Sequence, residues 1–174
     1  VKFNQLGAFT LGFIAVIVII TAINSVGYHH ADEHYQIIEF ANYFLGNTGS
    51  DQLPWEFKAQ IRPSIQPLIA AGFFKVIYLF GLNDPFLLAM LLRISTGLFG
   101  IWVYIKFIKA WVNREGEAKG IPILLSVSAF FLWFMPYLLV RFSSENLSSL
   151  FFLWGLTHYF SNRENKQLVF IGLL

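Results

Sequence analysis

The chain of 174 residues is 56% hydrophobic and 18% aromatic but only 13% charged, whereas soluble domains run at about 45–50% apolar and 25% charged. That balance excludes an ordinary water-soluble domain and points to an all-α polytopic membrane protein. The net charge of +2 is carried by short basic clusters beside apolar runs, which argues against a nucleic-acid partner, and with no cysteine in the chain disulfide and thiolate chemistry are excluded within it.

The chain begins at Val1 and stops inside a fresh apolar run, Leu168 to Leu174, too short for the roughly 20 residues of a span. It is expected to be the N-terminal part of a longer, single transmembrane domain. The first apolar run, Leu6 to Ile23, exceeds the roughly 7–15 residues of a signal-peptide core and predicts a retained first helix. A polar, aromatic-rich loop follows over 24–64, longer than the roughly 12–15 residues at which an unstructured connection becomes unusual. Within it, the apolar spacing of Asp32 to Leu45 predicts an amphipathic interfacial helix ended by Gly46-Asn47. Trp55, Phe57 and the punctuation of Pro54, Pro63 and Pro67 predict a second piece held at the membrane surface, where Trp is favoured. Further apolar stretches are Ile65 to Leu82, Phe86 to Ile108, Ile121 to Val140 and Leu147 to Phe160.

The basic residues set the expected orientation. Lys106, Lys109, Arg114 and Lys119 cluster about one connector and Arg163 and Lys166 sit in another, so the positive-inside rule places both in the cytoplasm. Arg141 to Asn146 then lies outside, on the same face as Asp32 and Glu33. This requires one of the two apolar stretches between Arg62 and Lys109 not to span. Ile65 to Leu82 is expected to be that one: it is short, contains Lys75 and ends at Gly81-Leu82-Asn83-Asp84-Pro85.

Few residues are candidates for chemistry. Asp32 and Glu33 offer a carboxylate to take a proton from an attacking hydroxyl and a second to hold an acceptor or tune the first. Adjacent residues do not share a helical face, so only one can be the base. The plain alternative is that both charge the first turn of the following helix, where the dipole favours acids. His30 and His34 are four apart, but a His-Glu-x-x-His zinc pattern is absent; hydrogen bonding to a phosphate or sugar hydroxyl suits them better than a metal, and plain loop histidines are the simplest reading. Arg62, Arg93 and Arg141 are charges in or beside apolar stretches, where guanidinium forks match phosphate oxygens; snorkelling to headgroups is the bland reading. Glu145 and Asn146 read as a loop turn.

Three blocks together resemble a known family. His30-Ala31-Asp32-Glu33 with Tyr35-Gln36, then Leu53-Pro54-Trp55-Glu56-Phe57, then Ile61-Arg62-Pro63-Ser64-Ile65-Gln66-Pro67-Leu68 resemble the His-Pro-Asp-Glu loop and its continuation in glycosyltransferase family 22, polytopic mannosyltransferases of the GT-C fold. Arg141-Phe142-Ser143-Ser144-Glu145-Asn146 resembles that family's second outer-face motif, Arg-x-x-Ser/Thr-Asn-x-x-Glu. Two departures stand out: Ala31 replaces the usual Pro, and Glu145 and Ser148 stand where Asn and the acid are expected.

The resemblance implies a GT-C-type N-terminal module with a long first outer loop carrying juxtamembrane helices. It also implies inverting transfer of mannose, without a metal or other cofactor, from a polyprenyl-phosphate-mannose donor to a glycan or glycolipid hydroxyl. Asp32 would be the general base and Glu33 its support. His30, His34, Trp55, Arg62, Arg141 and Glu145 would meet donor or acceptor. Short cytoplasmic connectors suit a bacterial inner membrane, or the endoplasmic reticulum in a eukaryote, with the site on the periplasmic or luminal face. A transporter or flippase subunit for a polar or lipid-linked substrate is the alternative from another class, and a scaffold subunit the blandest.

Overall fold

The computed structural model describes residues 8–25, 27, 31, 33–115, 127–128 and 130–161. Helices α1 (Ala8–Asn24), α2 (Glu39–Phe44), α3 (Trp55–Ala59), α4 (Ile65–Tyr78), α5 (Pro85–Glu115), α6 (Met135–Leu139) and α7 (Ser144–Phe160) carry the chain, and no strand occurs among the described residues.

An uncharged, proline-free run forms α1. Ile14, Val18 and Ala22, spaced by four, are buried, while Phe13, Val16, Ile20 and Ile23 are exposed. A helix apolar on its outward side as well as its inward side suits lipid rather than water. In its last turns Thr21 Oγ1 and Asn24 Nδ2 donate to the carbonyls of Ile17 and Ile20, each at 2.8 Å. Gly27, at φ +73°, then turns the chain through the left-handed region that glycine adopts at no steric cost.

The amphipathic helix expected over Asp32 to Leu45 is observed over Glu33–Phe44. Its first half, Glu33–Ile38, is π-helical and runs directly into α2, a wider turn that recurs at functional sites. Gly46, at φ +78°, follows. Ile37 and Ala41 are buried against Ala70, Ala71 and Phe74 of α4, so the loop is folded onto a helix instead of lying free. Between them, α3 starts after the extended Pro54 and stops at Gln60, which is left-handed at φ 54°.

The 14 residues of α4 make about 21 Å of helix, short of the roughly 30 Å of a bilayer core. The 31 residues of α5 make roughly 46 Å, and Pro85–Arg114 is the one helix among the described residues long and apolar enough to cross a membrane. It opens with Asp84 Oδ1 accepting from the Phe86 N–H at 3.1 Å and with Pro85 in the first position, both strong helix-start devices.

The stretch Ile121 to Val140 is not one helix where it is described. Residues 130–131 are helical, the chain bends at 132–134, and α6 begins afresh with a proline in its first turn. Pro136 explains the break, since it has no N–H to donate to the carbonyl four residues back and its ring crowds that carbonyl. The next helix, expected from Leu147, starts earlier: Ser143 Oγ accepts from the Asn146 N–H at 3.3 Å and caps α7 at Ser144. Ser144, Glu145 and Asn146, the second half of the expected connector Arg141 to Asn146, are therefore that helix's first turn.

Two apolar clusters share α5. One joins Ile14, Val18 and Ala22 of α1 to Ile101, Val103 and Ile108 of α5, with Leu139, Val140 and Leu150. The other joins the loop and α4 to Leu88 and Leu92 of α5, with Phe142. Leu139, Val140, Arg141 and Phe142 are all buried, and Val140 belongs to the first cluster and Phe142 to the second. Arg141 thus sits at the seam between the two.

Candidate active site

At that seam Glu33 is 2% exposed, and its carboxylate faces two guanidinium groups. Arg141 Nη1 lies 3.5 Å from Glu33 Oε2 and Arg93 Nε lies 4.0 Å from Oε1. Both arginines also grip the chain leaving α1: Arg141 Nη1 donates to the Gly27 carbonyl at 3.0 Å, and Arg93 donates to the carbonyls of Gly27 and Ser25. The Arg141 guanidinium is stacked over Tyr137, 4.4 Å from the ring centroid. Its Nε has no hydrogen-bond partner among the described residues. Charges removed from water are tolerable only when paired and hydrogen-bonded, and breaking such a pair leaves a charge buried at a cost of about 3–5 kcal/mol.

Side-chain amides hold the backbone around Arg141. Asn146 Nδ2 donates to the carbonyl of Arg141 at 2.7 Å and to that of Leu139 at 3.2 Å. Gln66, at the start of α4, donates to the Phe142 carbonyl at 3.2 Å and accepts from Ser144 Oγ at 2.8 Å. A cavity of about 440 Å³ opens beside this segment, with Tyr104, Met135, Leu138 and Leu139 on its apolar side and Arg141, Ser143, Glu145, Asn146 and Ser149 on its polar side.

A second polar junction ties the two halves of the loop. Glu56 Oε1 accepts from Gln36 Nε2 at 2.9 Å and from Arg62 Nη2 at 3.3 Å. Trp55, beside Glu56 in α3, is 69% exposed, while Phe57 turns inward onto Phe40 and Tyr43.

The structure brings Glu33 and Arg141 together, joining the first and second motifs as their expected common face requires. Glu145 lies in the first turn of α7 and lines the cavity with Arg141. Arg62 pairs with Glu56, and His34 Nε2 lies 3.2 Å from Glu39 Oε1 within its own helix. His30 and Asp32 lie outside the described residues. Sequence reasoning left out Gln36, Glu56, Gln66 and Asn146 as organising residues and did not pair Arg93. A signal existed for all four, which stand inside the motif blocks, but Gln36 and Gln66 find their partners 20 and 76 residues away.

Fold and site together define a helical protein of membrane type, with a polar loop folded against its longest apolar helix. The chain belongs to the Alg9-like mannosyltransferase family, which it matches over residues 9–173; this is the glycosyltransferase family that its motifs resemble. It is 29% identical over 123 residues to GPI mannosyltransferase 3 of Yarrowia lipolytica, covering 70% of this chain and 24% of that protein. It is 32% identical over 111 residues to the protein of the same name in Debaryomyces hansenii, covering 62% and 20%, and 32% identical over 107 residues to that of Drosophila melanogaster, covering 62% and 18%. The chain thus spans about a quarter or less of these relatives' length. No solved structure matches it significantly.

Proposed function

We propose that this chain is the N-terminal, GT-C-type part of a membrane mannosyltransferase that transfers mannose from a polyprenyl-phosphate-mannose donor to a glycan or glycolipid hydroxyl on the extracytoplasmic face. The names of the relatives favour a GPI glycolipid as acceptor. The single observation that carries the reading is the Glu33–Arg141 ion pair, which unites the two motifs of the family at one buried place. Membership of a mannosyltransferase family favours transfer over transport.

In the proposed step Asp32 takes the proton of the acceptor hydroxyl as its oxygen attacks the anomeric carbon. The bond from that carbon to the phosphate oxygen breaks on the opposite side, the electron pair leaves with the lipid phosphate, and the configuration inverts. A phosphate is a good leaving group, so the main tasks are alignment and stabilisation of its charge. Arg62 keeps a 40% exposed side chain and is the better placed arginine to meet the phosphate, while the buried Arg141 contributes its charge from beneath. Trp55 offers a face to the sugar or the lipid interface, His30 and His34 offer ring nitrogens to hydroxyls or phosphate, and Glu145 faces the cavity as an acceptor contact.

The test uses the full-length protein in membranes, supplied with radiolabelled polyprenyl-phosphate-mannose or nucleotide-mannose, with wild type beside Asp32→Asn. Transfer from the lipid donor alone, lost in the variant with insertion intact, is the expected result. Full activity in Asp32→Asn would sink the assignment of the base.

A further inference from the structure

We infer that Arg93 is a positioning residue for transfer: with Glu33 and Arg141 it forms a charge-coupled joint that fixes both ends of the segment from Gly27 to Glu33 against α5 and against residues 139–142. The inference rests on the mannosyltransferase reading for what the joint positions, but its geometry stands apart from that reading.

The same two arginines hold both ends of this segment. The Gly27 carbonyl accepts from Arg93 and from Arg141, and the Glu33 carboxylate faces both guanidinium groups. Gly27 and Glu33 thus meet the same pair of guanidinium groups, and Arg141 Nη1 faces both of them. Gly27 and Glu33 are held relative to each other before any ligand binds, and a general base must be within hydrogen-bond reach of its proton.

Two arginines are needed because they come from different elements. Arg141 ties the loop to the buried seam at Leu139 to Phe142, whereas Arg93 ties it to the long helix α5. Apolar packing already sets the loop helix against Leu88 and Leu92 of α5, and Arg93 adds a polar tie from α5 to Gly27 and Glu33. Arg93 side-chain exposure is 12%, and its fork is spent on the carbonyls of Ser25 and Gly27 and on Glu33, so it is not a headgroup-snorkelling residue. Charge ties the three together as well: one carboxylate stands between two guanidinium groups, so deleting Glu33 leaves like charges facing each other around a buried Arg141.

The experiment compares full-length wild type, Arg93→Lys, Glu33→Gln and the double variant Glu33→Gln/Arg93→Gln in membranes, measuring kcat and KM for the lipid-linked donor and, after extraction, the melting temperature. Arg93→Lys keeps the charge but not the fork, so kcat should fall roughly tenfold or more, as expected for a small misplacement of a reacting group. Its KM should stay within about twofold, because no donor contact has been removed. Glu33→Gln should melt well below wild type, and the double variant should melt above Glu33→Gln, because the excess positive charge has returned to its original value. An unchanged kcat in Arg93→Lys, or a raised KM with kcat intact, overturns the positioning role. A double variant that melts at or below Glu33→Gln overturns the joint. Wild type that transfers from no lipid-linked sugar overturns the mannosyltransferase reading and the positioning role with it, while recovery of melting in the double variant would still support the joint.

Discussion

Arg141 donates to the carbonyl of Gly27 at 3.0 Å across 114 residues of sequence. The same nitrogen lies 3.5 Å from Glu33, and the guanidinium plane rests over Tyr137. One side chain thus serves the exit of α1, the start of the loop helix and the seam between two apolar clusters. Only a planar, forked cation meets these three demands together.

Replacing Arg141 should therefore damage the fold more than a surface charge would. Arg141→Ala removes a buried partner from Glu33 and is expected to cost about 3–5 kcal/mol. Arg141→Lys keeps a positive charge but neither forks nor stacks, and should recover only part of that loss. Denaturant titration of the extracted full-length protein measures both, and an Arg141→Ala protein as resistant as wild type would show that the pair contributes nothing to stability.

Gly27 offers a cleaner test of backbone conformation. Nothing described lies within 4 Å of a Cβ added there, so space is not the constraint; its φ of +73° is. Gly27→Ala should cost about 1–2 kcal/mol, the steric penalty of a left-handed L residue. Gly27→Asn should cost less, because a short polar side chain tolerates this region. Equal losses for Ala and Asn would argue that a contact, not the dihedral angle, fixes the residue.

How much of this was legible depended on whether the signal was local. The long apolar runs gave α1 and α5 directly, and Gly46-Asn47 marked where the loop helix stops. The break before α6 had a local signal in Pro136, outweighed by the continuous apolar composition around it. The early start of α7 had one too, in Ser143 followed by Glu145 and Asn146, outweighed by their resemblance to a turn. The common location of Glu33 and Arg141 followed from charge distribution along the chain, but the contact itself did not. Pairing between distant parts of the sequence leaves no periodicity, which is also why Arg93 read as a solitary charge and why the Phe142 and Ser144 partners of Gln66 stayed unassigned.

Gln66 makes a prediction that separates shape from hydrogen-bonding polarity. Its amide donates to the Phe142 carbonyl and accepts from Ser144, so it needs one donor and one acceptor. Gln66→Glu keeps the shape but loses the donor and sets a carboxylate against a carbonyl oxygen. It should be at least as destabilising as Gln66→Ala, which removes both bonds at a cost of roughly 1–3 kcal/mol. The same titration checks the order; a Glu variant more stable than the Ala variant would contradict the assigned donor direction.

Two glycines of α5 sit tightly against the buried seam. A Cβ on Gly100 would lie 2.4 Å from Leu139 Cδ1 and 2.8 Å from its Cγ, and one on Gly97 would lie 2.4 Å from Val18 Cγ1 and 3.1 Å from Val140 Cγ1. Small residues allow helix backbones to approach where there is no water to drive them together. Overpacking of this kind typically costs about 1–3 kcal/mol. Because Leu139 and Val140 immediately precede Arg141, a side chain forced in at Gly100 should also shift the guanidinium away from Glu33. Gly100→Val is therefore expected to lower stability and, on the proposed function, mannosyl transfer, and Gly100→Val with Leu139→Ala, which clears the clashing atoms, should restore part of each. Transfer that falls in the single variant and shows no recovery in the double would locate the effect elsewhere than the seam. Comparing the two variants in the lipid-donor assay, with melting measured on the same preparations, settles which.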